Sequence, residues 1–184
     1  MTPGNEITVP GDDHILGSTE EQDALLLTFD GGAQSTGRPG GRVAGAGAIL
    51  WGPVGLDGRR PQLARTVLAL PGVPHAQEAE AGGCGEGLDL LLAHRTATMR
   101  RVLVSGDNLA VVRYCAGTGR LRREAMFARL DYRLGALLSQ GWNIQWRAVR
   151  RQLNKAADRL ATAGVQWAAS MDRGQANGEL RMTW

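Results

Sequence analysis

Apolar positions along the chain fall into short runs and two kinds of alternation. Leu25-Leu26-Leu27-Thr28-Phe29 is a continuous apolar run and predicts a buried strand that ends near Asp30. A Gly-rich polar turn from Gly31 to Arg42 follows, punctuated by Pro39-Gly40-Gly41. Val43 to Trp51, rich in small residues, reads as the return strand, and Gln62 to Leu70 as a third, giving an antiparallel meander. After Pro71 and Pro74 the period changes. Ala76 to His94 reads as a helix whose clearest core face is Leu88, Leu91 and Leu92.

Val102-Leu103-Val104 is a central-strand run that stops at Ser105-Gly106-Asp107, and Asn108 to Cys115 and Arg122 to Gln140 read as helices. Trp142 to Val149 alternates as a half-buried strand does, which places Trp142 and Trp146 in the core. Asn154 to Ala169 is a last helix, apolar at Ala157, Leu160, Ala161, Val165 and Ala168. The order β-β-β-α-β-α-α-β-α predicts an α/β fold: a mixed five-stranded sheet, an antiparallel meander plus parallel strands, flanked by helices. Residues 1–23 lack periodicity and read as a flexible acidic tail, 24–170 as the domain, and 171–184 as a second loose end.

A length of 184 residues suits one domain, and 43% apolar residues exclude wholesale disorder. No run of eighteen apolar residues and no basic-then-apolar leader is present, so neither a membrane span nor a signal peptide is expected, and an intracellular site is. Cys84 and Cys115 lack the spacing of a zinc site and read as buried thiols.

The net charge of +3 conceals an asymmetry: residues 1–23 carry six acids and no Lys or Arg, while 100–159 hold 13 basic and 4 acidic residues. Lys155 is the only lysine. Arginine clustered in this way suits phosphate, because its fork binds two oxygens at once. Arg120, Arg122, Arg123, Arg150 and Arg151 are the candidate contacts; a solvated face is the alternative.

Four acids stand where chemistry is expected. Asp30 closes the first strand, Glu80 lies early in the first helix, Asp107 ends the fourth strand and Asp158 begins the last helix. A carboxylate at the end of an apolar strand is costly to bury unless it is paired or binds a metal. The crevice beyond strand ends is where open α/β sheets place their sites.

These residues carry a resemblance. Thr28-Phe29-Asp30-Gly31-Gly32, Pro39-Gly40 leading to Gly45-Ala46-Gly47-Ala48-Ile49-Leu50, Ala79-Glu80 with Gly87-Leu88, Ser105-Gly106-Asp107-Asn108, and Asn154-Lys155-Ala156-Ala157-Asp158-Arg159-Leu160-Ala161 come in an order similar to the ribonuclease H family. The similarity spans residues 24–169. It is closest to the type 1-like short branch of plant, archaeal and retroelement enzymes, since Asp107 and Asp158 leave little room for a basic handle. The resemblance implies a metal-dependent endonuclease that hydrolyses the RNA strand of RNA–DNA hybrids with two Mg2+ ions, Mn2+ being a substitute. It also implies metal and catalytic roles for Asp30, Glu80, Asp107 and Asp158, and nucleic-acid contacts from Gly31, Gly32, Gln77, Asn108 and Asn154. A monomer is expected, either freestanding or as a domain of a reverse-transcriptase polyprotein. Glu80 matches the family interval; Glu78 lies about 200° from it around a helix, and Glu86 is the other alternative.

The chain departs from the pattern in two places. Many relatives carry a histidine ten residues before the last aspartate, where this chain has Ala148, and His14, His75 and His94 all lie far away. The helix bearing Glu80 contains Gly82, Gly83, Gly85 and Gly87, each costing roughly 1 kcal/mol against alanine, so close packing or an irregular helix is expected there. Two other functions compete: the same fold acting on another nucleic acid, or a non-catalytic hybrid-binding domain.

Overall fold

The strands and helices follow the predicted order, with short elements added at both ends. The computed structural model describes residues 7–8, 19–36, 41–71, 75–94, 99–119, 124–172 and 180–184. Its elements are β1 (Ile7–Thr8), α1 (Thr19–Gln22), β2 (Leu25–Ser35), β3 (Arg42–Trp51), β4 (Gln62–Pro71), α2 (Ala76–Ala93), β5 (Arg101–Gly106), α3 (Leu109–Cys115), α4 (Glu124–Ser139), β6 (Asn143–Ala148), α5 (Lys155–Asp172) and β7 (Leu180–Thr183). The turn residues Pro39 and Gly40, His14, and the arginines Arg120, Arg122 and Arg123 lie outside the described residues.

The sheet has seven strands rather than five, in the order β1-β6-β5-β2-β3-β4-β7. β2, β3 and β4 form the expected antiparallel meander, and β2, β5 and β6 run parallel. β2 does not end near Asp30, however: it continues to Ser35, because the residues expected to turn from Gly31 onward pair with β3. The added strands sit on the two edges and come from the segments read as tails: β1 joins β6 and β7 joins β4. Two to four residues are too few for a hydrophobic period to show, so their order comes from pairing and side-chain ties. Thr66 donates to the Met182 carbonyl, Arg181 pairs with Glu86 at 2.7 Å, and the Arg65 guanidinium lies 4.9 Å from the Trp184 ring centre. At the other end Arg60 donates to the carbonyls of Glu21, Ala24 and Gly52, while Glu21 pairs with Arg147 and Glu20 with Arg101. Part of the basic excess therefore neutralises acids of the N-terminal segment.

The main core forms where Leu25, Leu27, Phe29, Val102, Val104 and Trp146 meet Leu88 and Leu91 of α2 and Leu130 and Leu137 of α4. On the other side Val165 and Ala168 of α5 pack against Val43 and Ala69. Among the described residues no helix is long and apolar enough to cross a membrane.

Glycines set how close the helices come. A Cβ on Gly31 would lie 2.1 Å from the Glu80 nitrogen, and one on Gly83 2.4 Å from the Asp30 carbonyl oxygen. A Cβ on Gly87 would meet the Leu27 side chain at 2.9 Å. The Gly-rich stretch of α2 is thus an unbroken helix lying directly on β2, and close packing is the reason for it. α5 approaches in the same way: at Gly45 a Cβ would fall 2.1 Å from the Val165 nitrogen, and at Gly47 2.3 Å from the Leu160 Cβ.

Gly45→Ala should therefore lower unfolding free energy by about 2–3 kcal/mol, the upper range for overpacking, because backbone rather than a flexible side chain must give way. Gly135→Ala, in α4 with nothing within 4 Å of the added carbon, should raise it by about 0.5–1 kcal/mol. Urea titrations of both variants check the pair; similar shifts in the two would show that close approach is not what these glycines supply.

Candidate active site

Two parallel strands deliver two acids side by side. The β2–β5 register pairs Leu27 with Val104 and Thr28 with Ser105, so Asp30 and Asp107 each stand two residues beyond the last pair. Gly106 is required there, since a Cβ would lie 2.4 Å from the Phe29 ring. Glu80 enters from α2, whose first turns press against Gly31. One carboxylate oxygen from each of Asp30, Glu80 and Asp107 lies within 4.8 Å of the others. Asp30 and Glu80 are 4% and 7% exposed.

Three acids this close repel one another in a dry setting. Burial first, then the Asp107 charge, raises Asp30 to about 7, against the Gly31 N–H that donates to its Oδ1 at 2.8 Å. Burial, then Asp30 and Asp107, raises Glu80 to about 9. Two buried oxygens, Glu80 Oε2 and Asp107 Oδ1, have no hydrogen-bond partner. Orphaned anionic oxygens converging on one point are what a hard divalent cation takes as ligands. The donor set, all carboxylate, fits such an ion.

Asp158 stands apart from this trio. It lies early in α5, close enough for its charge to help raise Asp30, but its Oδ1 accepts two bonds from Arg151, at 2.5 Å from Nη2 and 3.1 Å from Nε. The expectation of a four-acid cluster thus becomes a trio with a fourth acid held by an arginine. That pairing was missed because Arg151 was read only as a phosphate contact; its guanidinium also feels Asp30 and Asp107.

The other expected site residues divide. Gln77 is exposed on the first turn of α2, and Arg150 and Arg151 are exposed beside the short 3-10 turn Arg151–Leu153. The Asn108 side-chain oxygen caps α3 by accepting from Ala110 and Val111, which leaves its NH2 end unused by the cap. Asn154 is 2% exposed: its side-chain NH2 donates to the Phe29 carbonyl at 2.8 Å, tying the start of α5 to β2, and its Oδ1 has no hydrogen-bond partner. Gly31 sits under Glu80, where its lack of a side chain is its contribution, while a Cβ on Gly32 would meet the Val165 side chain at an ordinary contact distance of 3.8 Å. Of the alternatives to Glu80, Glu86 is buried against Thr66 and paired with Arg181, and Glu78 is outside the trio. Ala148 packs in the main core with Trp142, Ile144 and Trp146, so an imidazole placed there would push into apolar packing.

Metal-free stability should follow these two raised carboxyl groups. Above ~4, the ordinary carboxylate range, the folded chain holds protons that the unfolded chain has lost. Its stability therefore falls as pH rises through about 7 and then about 9. The melting temperature in EDTA should drop from pH 6 to 9, Mn2+ should restore it increasingly over that range, and Glu80→Gln should melt ~3–5 °C above wild type in EDTA at pH 8. Thermal melts read all three; a Glu80→Gln protein that melts lower would contradict the repulsion described here.

Comparison with known proteins agrees with this geometry. Residues 34–164 match the reverse transcriptase-like family. The N-terminal RNase H domain of a Mycobacterium tuberculosis protein, solved as a fusion with maltose-binding protein, superposes with a TM-score of 0.64 at 30% identity, covering 81% of this chain and 98% of that one. An RNase H1 isolated from compost, solved in complex with an RNA/DNA hybrid, gives 0.62 at 21% identity over 78% and 98%. The prototype foamy virus protease–reverse transcriptase gives 0.58 at 18% identity, covering 85% of this chain and 22% of that one. No curated protein sequence matches. The match over most of the chain, the 30% identical mycobacterial domain and the carboxylate trio on this sheet place the chain in the ribonuclease H1-like group of the reverse transcriptase-like family, as a metal-dependent nuclease.

Proposed function

We propose that the chain hydrolyses the RNA strand of RNA–DNA hybrids with two Mg2+ ions, for which Mn2+ can substitute. The observation that carries this reading is the convergence of Asp30, Glu80 and Asp107, with two unpartnered buried oxygens, at the end of the parallel strands. When bound, the ions supply an activated water and stabilise the departing 3′ oxygen. Asp30, Glu80 and Asp107 would hold the ions, Glu80 and Asp107 toward the leaving group and Asp158 toward the nucleophile, the roles that the family resemblance implies. Gln77, exposed on the first turn of α2, and the half-buried Asn108, next to Asp107 in the chain, suit contacts to bases, sugars or 2′-hydroxyls, the last of which distinguish RNA from DNA. Arg150 and Arg151, with Arg120, Arg122 and Arg123, hold the phosphates.

The hybrid-bound compost enzyme, at 21% identity, supports the choice of substrate through a shared fold. A similar unit forms nearly all of the mycobacterial domain and a fraction of the foamy-virus protein, so the fold suits both a freestanding monomer and a polyprotein. The two free thiols suit an intracellular, reducing setting.

Asp107→Asn should reduce cleavage of a labelled RNA–DNA hybrid at least ~100-fold while leaving hybrid binding largely intact, because it removes ligand charge and spares the basic surface. Gel analysis in Mg2+ or EDTA, with duplex DNA and duplex RNA alongside, also reads the two competing functions. Cleavage of another duplex in preference would shift the substrate, and binding without cleavage would make this a hybrid-binding domain.

Replacing Arg150 and Arg151 by alanine should weaken binding and reduce the slope of log K against log salt by about one unit per lost phosphate contact. Binding isotherms at several salt concentrations measure it. An unchanged slope would return these arginines to a solvated face.

A further inference from the structure

Cys84 and Cys115 connect the two helices that frame the carboxylate trio. Cys84 lies one turn after Glu80 on α2, and Cys115 is the last residue of α3, whose capping residue Asn108 directly follows Asp107. Both thiols are free and buried, with their sulfurs 3.9 Å apart. We infer that this pair is an oxidation site: a peroxide converts it to an intramolecular disulfide that ties α2 to α3 and weakens the divalent-cation site. The inference rests on the cation site proposed above and is independent of the hybrid substrate.

A disulfide bond is about 2.05 Å long, so the two sulfurs must approach by roughly 2 Å, a closure shared between side-chain rotation and a shift of one helix. α2 is the fixed partner, since Gly83 lies against the Asp30 backbone and Gly87 against Leu27. α3 has only seven residues, starts at the Asn108 cap and ends in a turn at Gly117, whose φ is +75°. A pull on Cys115 is therefore taken up along α3, and its other end carries Asn108 and Asp107. Displacing the Asp107 carboxylate opens the trio, because the strand register that sets it beside Asp30 has its last pair at Thr28 and Ser105.

The chemistry balances with peroxide as the two-electron oxidant. Cys115, 6% exposed against 0% for Cys84, meets the oxidant first. Its sulfur attacks the O–O bond, giving a sulfenic acid and one water. The Cys84 sulfur then displaces the sulfenic oxygen, which leaves as a second water carrying the Cys84 proton. Two thiols and one hydrogen peroxide thus become one disulfide and two waters. Burial and the neighbouring Cys115 hold the Cys84 thiol well above its usual range, so the second step is slow and depends on contact with the sulfenic sulfur. A dithiol reductant reverses the bond.

The test treats the folded full chain with hydrogen peroxide, removes the excess, and follows intact mass and the Mn2+-induced rise in melting temperature. Oxidation should lower the mass by about 2 Da, block alkylation of both cysteines after denaturation, and at least halve the Mn2+-induced rise, with dithiothreitol restoring it. Cys115→Ala and Cys84→Ala should each keep the full Mn2+ response after the same treatment. Two thiols that remain alkylatable would overturn the inference. So would a disulfide that leaves the Mn2+ response unchanged, or a response lost equally in the single-cysteine variants. A reduced protein with no Mn2+ response would overturn the cation site itself, and this inference with it, whereas mass alone scores bond formation.

Discussion

The contact between α2 and β2 is the constraint on which the rest depends. Helix and strand meet backbone to backbone, with Gly31 beneath the Ala79–Glu80 peptide and Gly83 beneath the Asp30 carbonyl. Any side chain at either position would separate the layers. Because they cannot separate, Glu80 is held against Asp30, and the remaining acid, Asp107, arrives through strand register alone. The helix gives up intrinsic propensity at four glycines to reach this position, and the loss is offset by the burial of Leu88 and Leu91 in the main core. Local preference yields here to site geometry.

That geometry stores electrostatic work. Asp30 and Glu80 both titrate well above the ordinary carboxylate range because burial and mutual repulsion disfavour their charged forms. In the metal-free chain near neutral pH the pair retains protons that an unfolded chain would release. The same three carboxylates would hold a divalent cation once deprotonated, so its binding would be accompanied by proton release. Stability and ligation thus oppose each other at the same three residues, a trade commonly met where a fold carries a site.

Much of this was legible in the sequence because the period of the pattern matches the elements. The runs at Leu25–Phe29 and Val102–Val104 and the alternation at Trp142–Val149 each appear as strands, and the small-residue face of α5 packs as expected. Asp30 and Asp107 were legible because they follow apolar runs, whereas Glu80 and Asp158 stood out through the helix starts they occupy and the family resemblance. The edge strands were not, since Ile7–Thr8 and Leu180–Thr183 are ordered by partners distant in sequence. The motif around Asn154 marks the helix start, but only the fold shows its side chain turned inward to the Phe29 carbonyl. The salt bridge from Arg151 to Asp158 needed the three-dimensional turn between β6 and α5.

That salt bridge bears on the histidine that the chain lacks. The position ten residues before Asp158 is Ala148, the last residue of β6, paired with Gly106 and packed in the core. The strand therefore continues up to the edge of the site and leaves no room for a mobile imidazole. The group that faces Asp158 comes three residues later and is a guanidinium, 77% exposed on its side chain. An imidazole changes charge near neutral pH; a guanidinium does not, because its pKa lies far above that range. Arg151 can hold Asp158, attract a phosphate and compete with a cation for the carboxylate, but it cannot carry protons in and out at neutral pH. Proton traffic at this site is therefore left to water and to the Asp30–Glu80 pair, the only groups in the described part of the site whose raised values reach the neutral range and beyond.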